Sequence, residues 1–323
     1  MSALTFAEDS LAASIRLGTP LLFAALGEMF VQRSGVLNIG IEGLMLTSAF
    51  SGVVATDQFI AAGWPAEAAL AAGVLLAIVS GLFFSSAFAA MTVVGRRDQI
   101  VAGMALNLAA LGLTGTLHRA LFLDTGRLLS VPTFPPLAIP GLVDLPLIGR
   151  AFDQSLLVYL AALTVPIAVI VLFRSRLGLW IRAAGENPLA LDAAGISVSR
   201  VRFGAVLIGG ALAGLAGATL TLGDASSFAE NMTAGRGFIA LAVVIFGRWH
   251  PGWIAAVALF FGAANAAQFR LQALGLEGLP HQALLALPYL ASLVALAWSG
   301  GRPGAAPSML GRPYRRGERE RET

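Results

Sequence analysis

Long apolar runs follow one another along this chain, and they leave it few folds to adopt. A helix needs about 20 mostly apolar residues to cross a bilayer. Runs of that kind recur from Leu11 to Trp298. We read about nine membrane segments (eight to ten): Leu11–Val31, Val36–Ala55, Glu67–Val94, Ile100–Leu117, Ser155–Phe173, Gly204–Leu222, Phe238–Phe246, Pro251–Gln268 and Gln282–Trp298. Backbone polar groups in hydrocarbon must be paired within their own segment. The fold class is therefore all-α integral membrane. Phe238–Phe246 is too short to cross as a straight helix, whereas Glu67–Val94 is long enough to tilt. Charged residues make up 12% of the chain, against about 25% in soluble domains.

Missing residue types narrow the chemistry. There is no cysteine, which excludes disulfides, thiol catalysis and cysteine-ligated metal. His118, His250 and His281 do not stand at metal-ligand spacing. All 21 basic residues are arginine. A phosphate-binding Walker A loop needs a lysine, so any ATP that powers this chain is bound by another polypeptide. We expect no cofactor in the chain itself. Glu8 and Asp9 precede the first apolar run, unlike the basic start of a secretory signal.

Loop charge sets an expected orientation. Arg96 and Arg97 lie in one loop; Arg174, Arg176, Arg182, Arg200 and Arg202 in another; Arg248 in a third; six more arginines in the tail from Arg302. If the spans alternate, these places share one face, which the positive-inside rule assigns to the cytoplasm. That distribution favours a membrane reading of the basic balance over nucleic-acid binding. Residues 1–300 read as one transmembrane domain, with 118–154 as an external loop and 174–203 as a cytoplasmic loop. The Arg-rich tail 301–323 reads as disordered. The loop His118–Gln154 carries Pro132, Pro135, Pro136, Pro140 and Pro146, a spacing that disfavours helix. Its apolar content suggests a packed cap that a partner could touch, or else a passive connection.

Three stretches place polar groups against the apolar background. In GEMFVQRSGVLNIGIEGLML (Gly27–Leu46), Glu28, Gln32, Arg33, Asn38 and Glu42 fall at or near membrane depth among Gly35, Gly40 and Gly43. Ionisable groups there are costly unless paired or hydrated, and broken helices at that depth line cavities. This stretch reads as a broken second helix. Asn38 and Glu42 share a face if the helix continues, and they are candidates to line a solute path. The alternative is an ion pair of Arg33 with Glu28 or Glu42. In RAAGENPLALDAAGISVSRVRFG (Arg182–Gly204), Asn187 suits an N-cap, Pro188 the first helical position and Gly195 the residue after a helix end. These residues write a two-turn helix, Pro188–Ala194, in the basic loop. In SSFAENMTAGRGFIALAVVIFGRWHPGW (Ser226–Trp253), Glu230, Asn231 and Arg236 precede an apolar segment, with Gly235 and Gly237 on either side of Arg236. Arg236 could bind solute or pair with Asp224 or Glu230. Asn107, Asn265 and Gln268 are further polar groups in apolar spans. A lone Asn in a span serves as interhelical glue as readily as a ligand.

The stretches RSGVLNIGIEGLML, DQIVAGMALNLAALGLTG, IPGLVDLPLIG, RAAGENPLALDAAGI and MTAGRGFIALAVVIFGRW, in this order, resemble the nucleoside-type ABC transporter permeases of the branched-chain amino acid and ribose permease family. The resemblance runs from about Leu17 to Trp298. It implies a type II-like ABC importer permease with two related halves, in the bacterial cytoplasmic (inner) membrane. It further implies an ABC ATPase that holds the ATP and Mg, a second, homologous and often non-identical permease subunit, and an external substrate-binding lipoprotein that delivers a nucleoside or similar solute. The short helix would then couple to the ATPase through Gly185, Glu186, Asn187, Pro188, Asp192 and Gly195. Asn38, Glu42, Asn107, Asn231 and Arg236 would form the substrate path. Against this stands an ion-gradient-driven transporter or channel, which would use Glu28, Arg33 and Glu42 as a relay but gives no purpose to the capped helix. A membrane-embedded enzyme lacks support, since the chain has no HExxH or GxSxG motif.

Overall fold

The computed structural model describes residues 3–124, 126–146, 148–273, 290 and 306–314. In chain order the elements are α1 (Ala3–Arg33), α2 (Ile41–Ala61), α3 (Ala66–Ala89), α4 (Gln99–His118), β1 (Pro136–Ala138), β2 (Asp153–Ser155), α5 (Leu156–Arg174), α6 (Arg176–Glu186), α7 (Pro188–Ala193), α8 (Val198–Ala218), α9 (Arg236–Phe246) and α10 (Pro251–Ala273). Single π-turns extend α3, α4 and α8 through Ala90–Val94, Arg119–Leu123 and Thr219–Ala225.

Seven helices among the described residues are long and apolar enough to cross a bilayer: α1, α2, α3, α4, α5, α8 and α10. The expected number of about nine segments is not matched exactly among the described residues. The segment read as Phe238–Phe246 is α9, whose 11 residues span about 16 Å at 1.5 Å per residue. That is about half of a ~30 Å hydrocarbon layer. The segment Gln282–Trp298 lies outside the described residues except for Leu290. The second helix starts at Ile41, not Val36, so its break is a non-helical stretch, 34–40, that precedes it.

The spans divide into a filled centre and a rim. In α8, α2 and α1 the buried share is 72%, 61% and 56%, against 33% or less in α3, α4, α5 and α10. Small residues let the central backbones meet. A Cβ on Gly81 of α3 would overlap the Gly210 carbonyl of α8, and one on Gly262 of α10 would overlap the Ser14 carbonyl of α1. In lipid such close van der Waals packing, rather than a hydrophobic force between helices, drives association. Exposed Leu75, Val79 and Phe83 on α3 and Leu163, Ile167 and Ile170 on α5 give the rim its apolar exterior.

Helix ends define two faces. The ends of α1 and α3, the α6–α7 region and the α9–α10 turn form an arginine-rich face. The opposite face carries the proline-rich connection, which is packed. Val131 N–H donates to the Ser226 carbonyl at 2.8 Å and Phe134 N–H to the Leu222 carbonyl at 3.0 Å. Leu129 and Val131 are buried with Phe122 and Phe228. Arg127 reaches Asp57 at the end of α2 at 2.7 Å. β1 and β2 close an antiparallel ladder with Leu137 opposite Gln154.

The expectation of disorder across 301–323 fails for 306–314. Met309 N–H donates to the Gly185 carbonyl at 2.9 Å and Gly311 N–H to the Gly35 carbonyl at 3.0 Å. The net arginine count of the tail hides a short apolar patch: Pro307 is buried, and Leu310 and Tyr314 pack against the core.

Candidate functional site

Broken helices leave backbone groups without intrahelical partners, and in this protein buried polar side chains supply them. The break enters beside α4. Leu37 N–H donates to Gln99 Oε1 at 2.7 Å, at the first residue of α4. Eight residues along α4, Asn107 donates Nδ2–H to the Ile39 carbonyl at 3.0 Å and accepts from Gly43 N–H at 2.8 Å. Eight residues of helix rise about 12 Å, so α2 begins well inside the layer. Gly103, Asn107 and Ala110 present the surface that receives it: a Cβ on Gly103 would lie 2.7 Å from Gly40 N. Asn38 Oδ1 accepts from Gly40 N–H at 3.0 Å. Glu28 Oε1 accepts from Asn38 N–H at 3.1 Å and from Gln32 Nε2 at 3.3 Å.

The second break comes from the opposite face. Of the six non-glycine residues with positive φ among those described, Ser226, Asn231 and Ala234 fall in this one stretch, and Gly235 follows at φ 83. Such torsions are uncommon outside glycine, and here they turn the chain back into the layer. α9 then starts against α2. Gly235 N–H donates to Glu42 Oε1 at 2.7 Å and Gly237 N–H to Glu42 Oε2 at 2.6 Å. Gly237 is required for this seat, since a Cβ there would come within 2.7 Å of the Glu42 backbone. From that level α9 runs to the arginine-rich face. There Trp249 Nε1–H donates to Gln32 Oε1 at 2.7 Å, and the Arg33 guanidinium donates to the Trp249 carbonyl at 3.1 Å.

Two helix starts therefore meet inside the layer around Glu42. This corrects several expectations. Asn38 precedes α2 and shares no helix face with Glu42. Both side chains are buried, at 1% and 8% exposure, and neither lines any of the cavities described. They are spent on backbone N–H groups, which explains why polar residues tolerate this depth. Arg33 pairs with neither Glu28 nor Glu42. Arg236 donates to the Met232 carbonyl at 2.7 Å, while Asp224 pairs with Arg16 at 3.1 Å and Glu230 with Arg119 at 2.7 Å. The hydrogen bond from Arg119 holds the Glu230 carboxyl below the usual carboxylate range. Asn107, Asn231 and Arg236 keep partly or largely exposed positions around the start of α9.

Charged residues that the motifs did not single out collect on the other face. Asp9, Arg16, Arg150, Asp153, Asp224 and Arg270 surround a cavity of about 650 Å³, with Arg150 bonded to Asp9 and Arg270 to Ser10. They come from the body of α1, the far ends of α8 and α10 and the connection before α5, far apart in the chain, so no local motif announces them. Among the described residues, no group of three or more His, Asp or Glu side chains is placed to share a metal ion.

The basic loop folds as its residues direct. Asn187 Oδ1 accepts from Ala190 N–H at 3.0 Å, Pro188 opens α7, and Gly195 follows its end at φ 79. α7 covers Pro188–Ala193, one residue short of the expected helix. Gly185 sits where a Cβ would overlap the Arg33 carbonyl and lie 3.0 Å from Gly35 N. The end of α6 is thus pressed against the break.

This arrangement of spans, paired breaks and a short capped helix occurs in a chain whose residues 10–297 match the family described as branched-chain amino acid transport system / permease component. The chain belongs to that permease family. It is 36% identical to the guanosine ABC transporter permease protein NupQ of Bacillus subtilis, covering 95% of this chain and 96% of the relative. It is also 36% identical to the nucleoside ABC transporter permease protein NupC of Lactococcus lactis, over 92% and 93% of the two chains. A third relative at 36% identity, covering 97% and 99%, is the putative glucose ABC transporter permease protein TsgC13 of Haloferax volcanii. No solved structure matches. The chain is therefore an ABC transporter permease, a multi-pass inner-membrane transport component rather than an enzyme.

Proposed function

We propose that this permease imports a nucleoside delivered by an external binding protein, with ATP and Mg held on a separate ATPase. The observation that carries the ATPase reading is α7. It is a short helix capped at both ends, and α6 before it is seated directly on the break that starts α2. Such a helix gives an ATPase a firm point of contact, and an ion-gradient transporter has no use for it. Glu186, Asn187, Pro188 and Asp192 belong to this contact, with Gly185 and Gly195 shaping its two ends.

The nucleoside reading rests on the two relatives named for guanosine and nucleosides, and the glucose relative supplies its competitor. Co-expression with a partner ATPase, a second permease and a binding protein should give guanosine uptake that inosine suppresses and glucose does not. Uptake suppressed by glucose alone would reverse the assignment. The centre of the chain is filled with helices, so the path runs along its side and is completed by a second permease subunit. Asn107, Asn231 and Arg236 border that path. Asn38 and Glu42 brace it from behind.

The arginine-rich face is cytoplasmic on this reading. Because the chain has no cysteine, single cysteines report sidedness cleanly. Asp144→Cys should react with an impermeant maleimide on whole cells, and Arg96→Cys only after permeabilisation. The opposite pattern would invert the topology.

A further inference from the structure

We propose that residues 306–314 form a strap that carries movement of the ATPase-facing helices into the break before α2. This rests on the reading of α6 and α7 as the ATPase contact. The last carbonyls of a helix have no partners within it, and α6 obtains its partners from outside. The Gly185 carbonyl accepts from Met309 N–H at 2.9 Å. The Glu186 carbonyl accepts from Ser308 Oγ at 2.7 Å, and Glu186 Oε2 from Ser308 N–H at 3.3 Å. The Ala184 carbonyl accepts from Arg202 Nη2 of α8 at 3.2 Å, while Nη1 of the same buried guanidinium donates to the Arg312 carbonyl at 2.8 Å.

Two residues beyond its grip on α6, the strap grips the break, where Gly311 N–H donates to the Gly35 carbonyl at 3.0 Å. Both ends hold through backbone donors. The Tyr314 side chain lines the small cavity that also touches Val36 and Gln99, the residue that bonds Leu37. It also lines the cavity beside Asp192 and Gly195 at the end of α7. The strap thus contacts both the docking helices and the break, whose direct contact is the seat of Gly185 on Arg33 and Gly35. A displacement of α6 that leaves the strap on the break would strip the Gly185 and Glu186 carbonyls of their donors. Moving together keeps every bond.

The test uses the assembled transporter with Leu37→Cys as its single thiol. Leu37 is half-buried in the break, and its backbone bond to Gln99 survives the change. Maleimide labelling is compared between the nucleotide-free and ATP–vanadate-trapped states. With the strap present, the two rates should differ by about fivefold or more, the scale of coupling between distant sites. A chain ending at Ala305 should retain its ATPase on co-purification but show equal rates. Gly311→Val, strained at φ 77, should diminish the difference and serves if the truncated chain does not accumulate. A truncated or Gly311→Val complex with the full difference overturns the proposal, as does a full-length complex with none. Loss of the ATPase on truncation also overturns it, since the strap would then hold the docking surface rather than transmit its movement. Deleting Pro188–Ala193 separates the two readings: an ATPase that stays bound sinks the coupling assignment itself.

Discussion

Glu42→Ala is expected to leave the protein inserted in the membrane but without uptake, and with a markedly lower thermal midpoint in detergent. The carboxylate receives Gly235 N–H and Gly237 N–H at 2.7 and 2.6 Å. Alanine leaves both donors unpaired, Gly237 buried and Gly235 partly so, at a cost of about 1–3 kcal/mol for the buried one. The start of α9 is then held against α2 by packing alone. Glu42→Gln should fall between, because one carbonyl oxygen still accepts while the amide NH₂ is set against a second donor. Glu42→Asp is one methylene shorter and should keep one bond rather than two. Full uptake and an unchanged midpoint in the alanine variant would show that α9 is positioned by its apolar packing alone.

The second large effect is expected from Gly185→Val. Any side chain there overlaps the Arg33 carbonyl, which is backbone and cannot rotate away. Relief requires α6 to lift from the break, which also strains the bond from Met309. Overpacking of this kind costs about 1–3 kcal/mol, enough to separate the two elements without unfolding the spans. Uptake should be lost while the ATPase still co-purifies, because α7 and its caps are untouched. Normal uptake would mean that α6 need not touch the break.

Much of this was legible before the structure. Asn187, Pro188 and Gly195 specify α7 locally, since a cap, a fixed φ and a left-handed residue act within one or two turns. The glycines and polar residues of RSGVLNIGIEG mark a break for the same reason. What the residues could not show was where each polar group is spent. Asn38 looks like a ligand until Gly40 N–H is found beside it. Glu42 looks like a path residue until a helix start almost two hundred positions later closes on it. Asn107 could have been read more closely, because Gly103, Asn107 and Ala110 form a small, polar stripe that suits a backbone neighbour. The tail misled through its charge: Arg315, Arg316, Arg319 and Arg321 outweigh the apolar patch that precedes them.

The meeting of α2 and α9 at Glu42 has an electrical consequence. A helix start carries roughly half a positive elementary charge, so two of them around one carboxylate come close to cancelling it. Separation is another matter. Drawing α9 away would leave a bare carboxylate in a poorly polarisable medium, at a cost of several kcal/mol. The two half-buried helices must therefore travel as one piece. The bending that transport demands then falls on the two irregular stretches that lead into them, 34–40 from one side and 226–235 from the other.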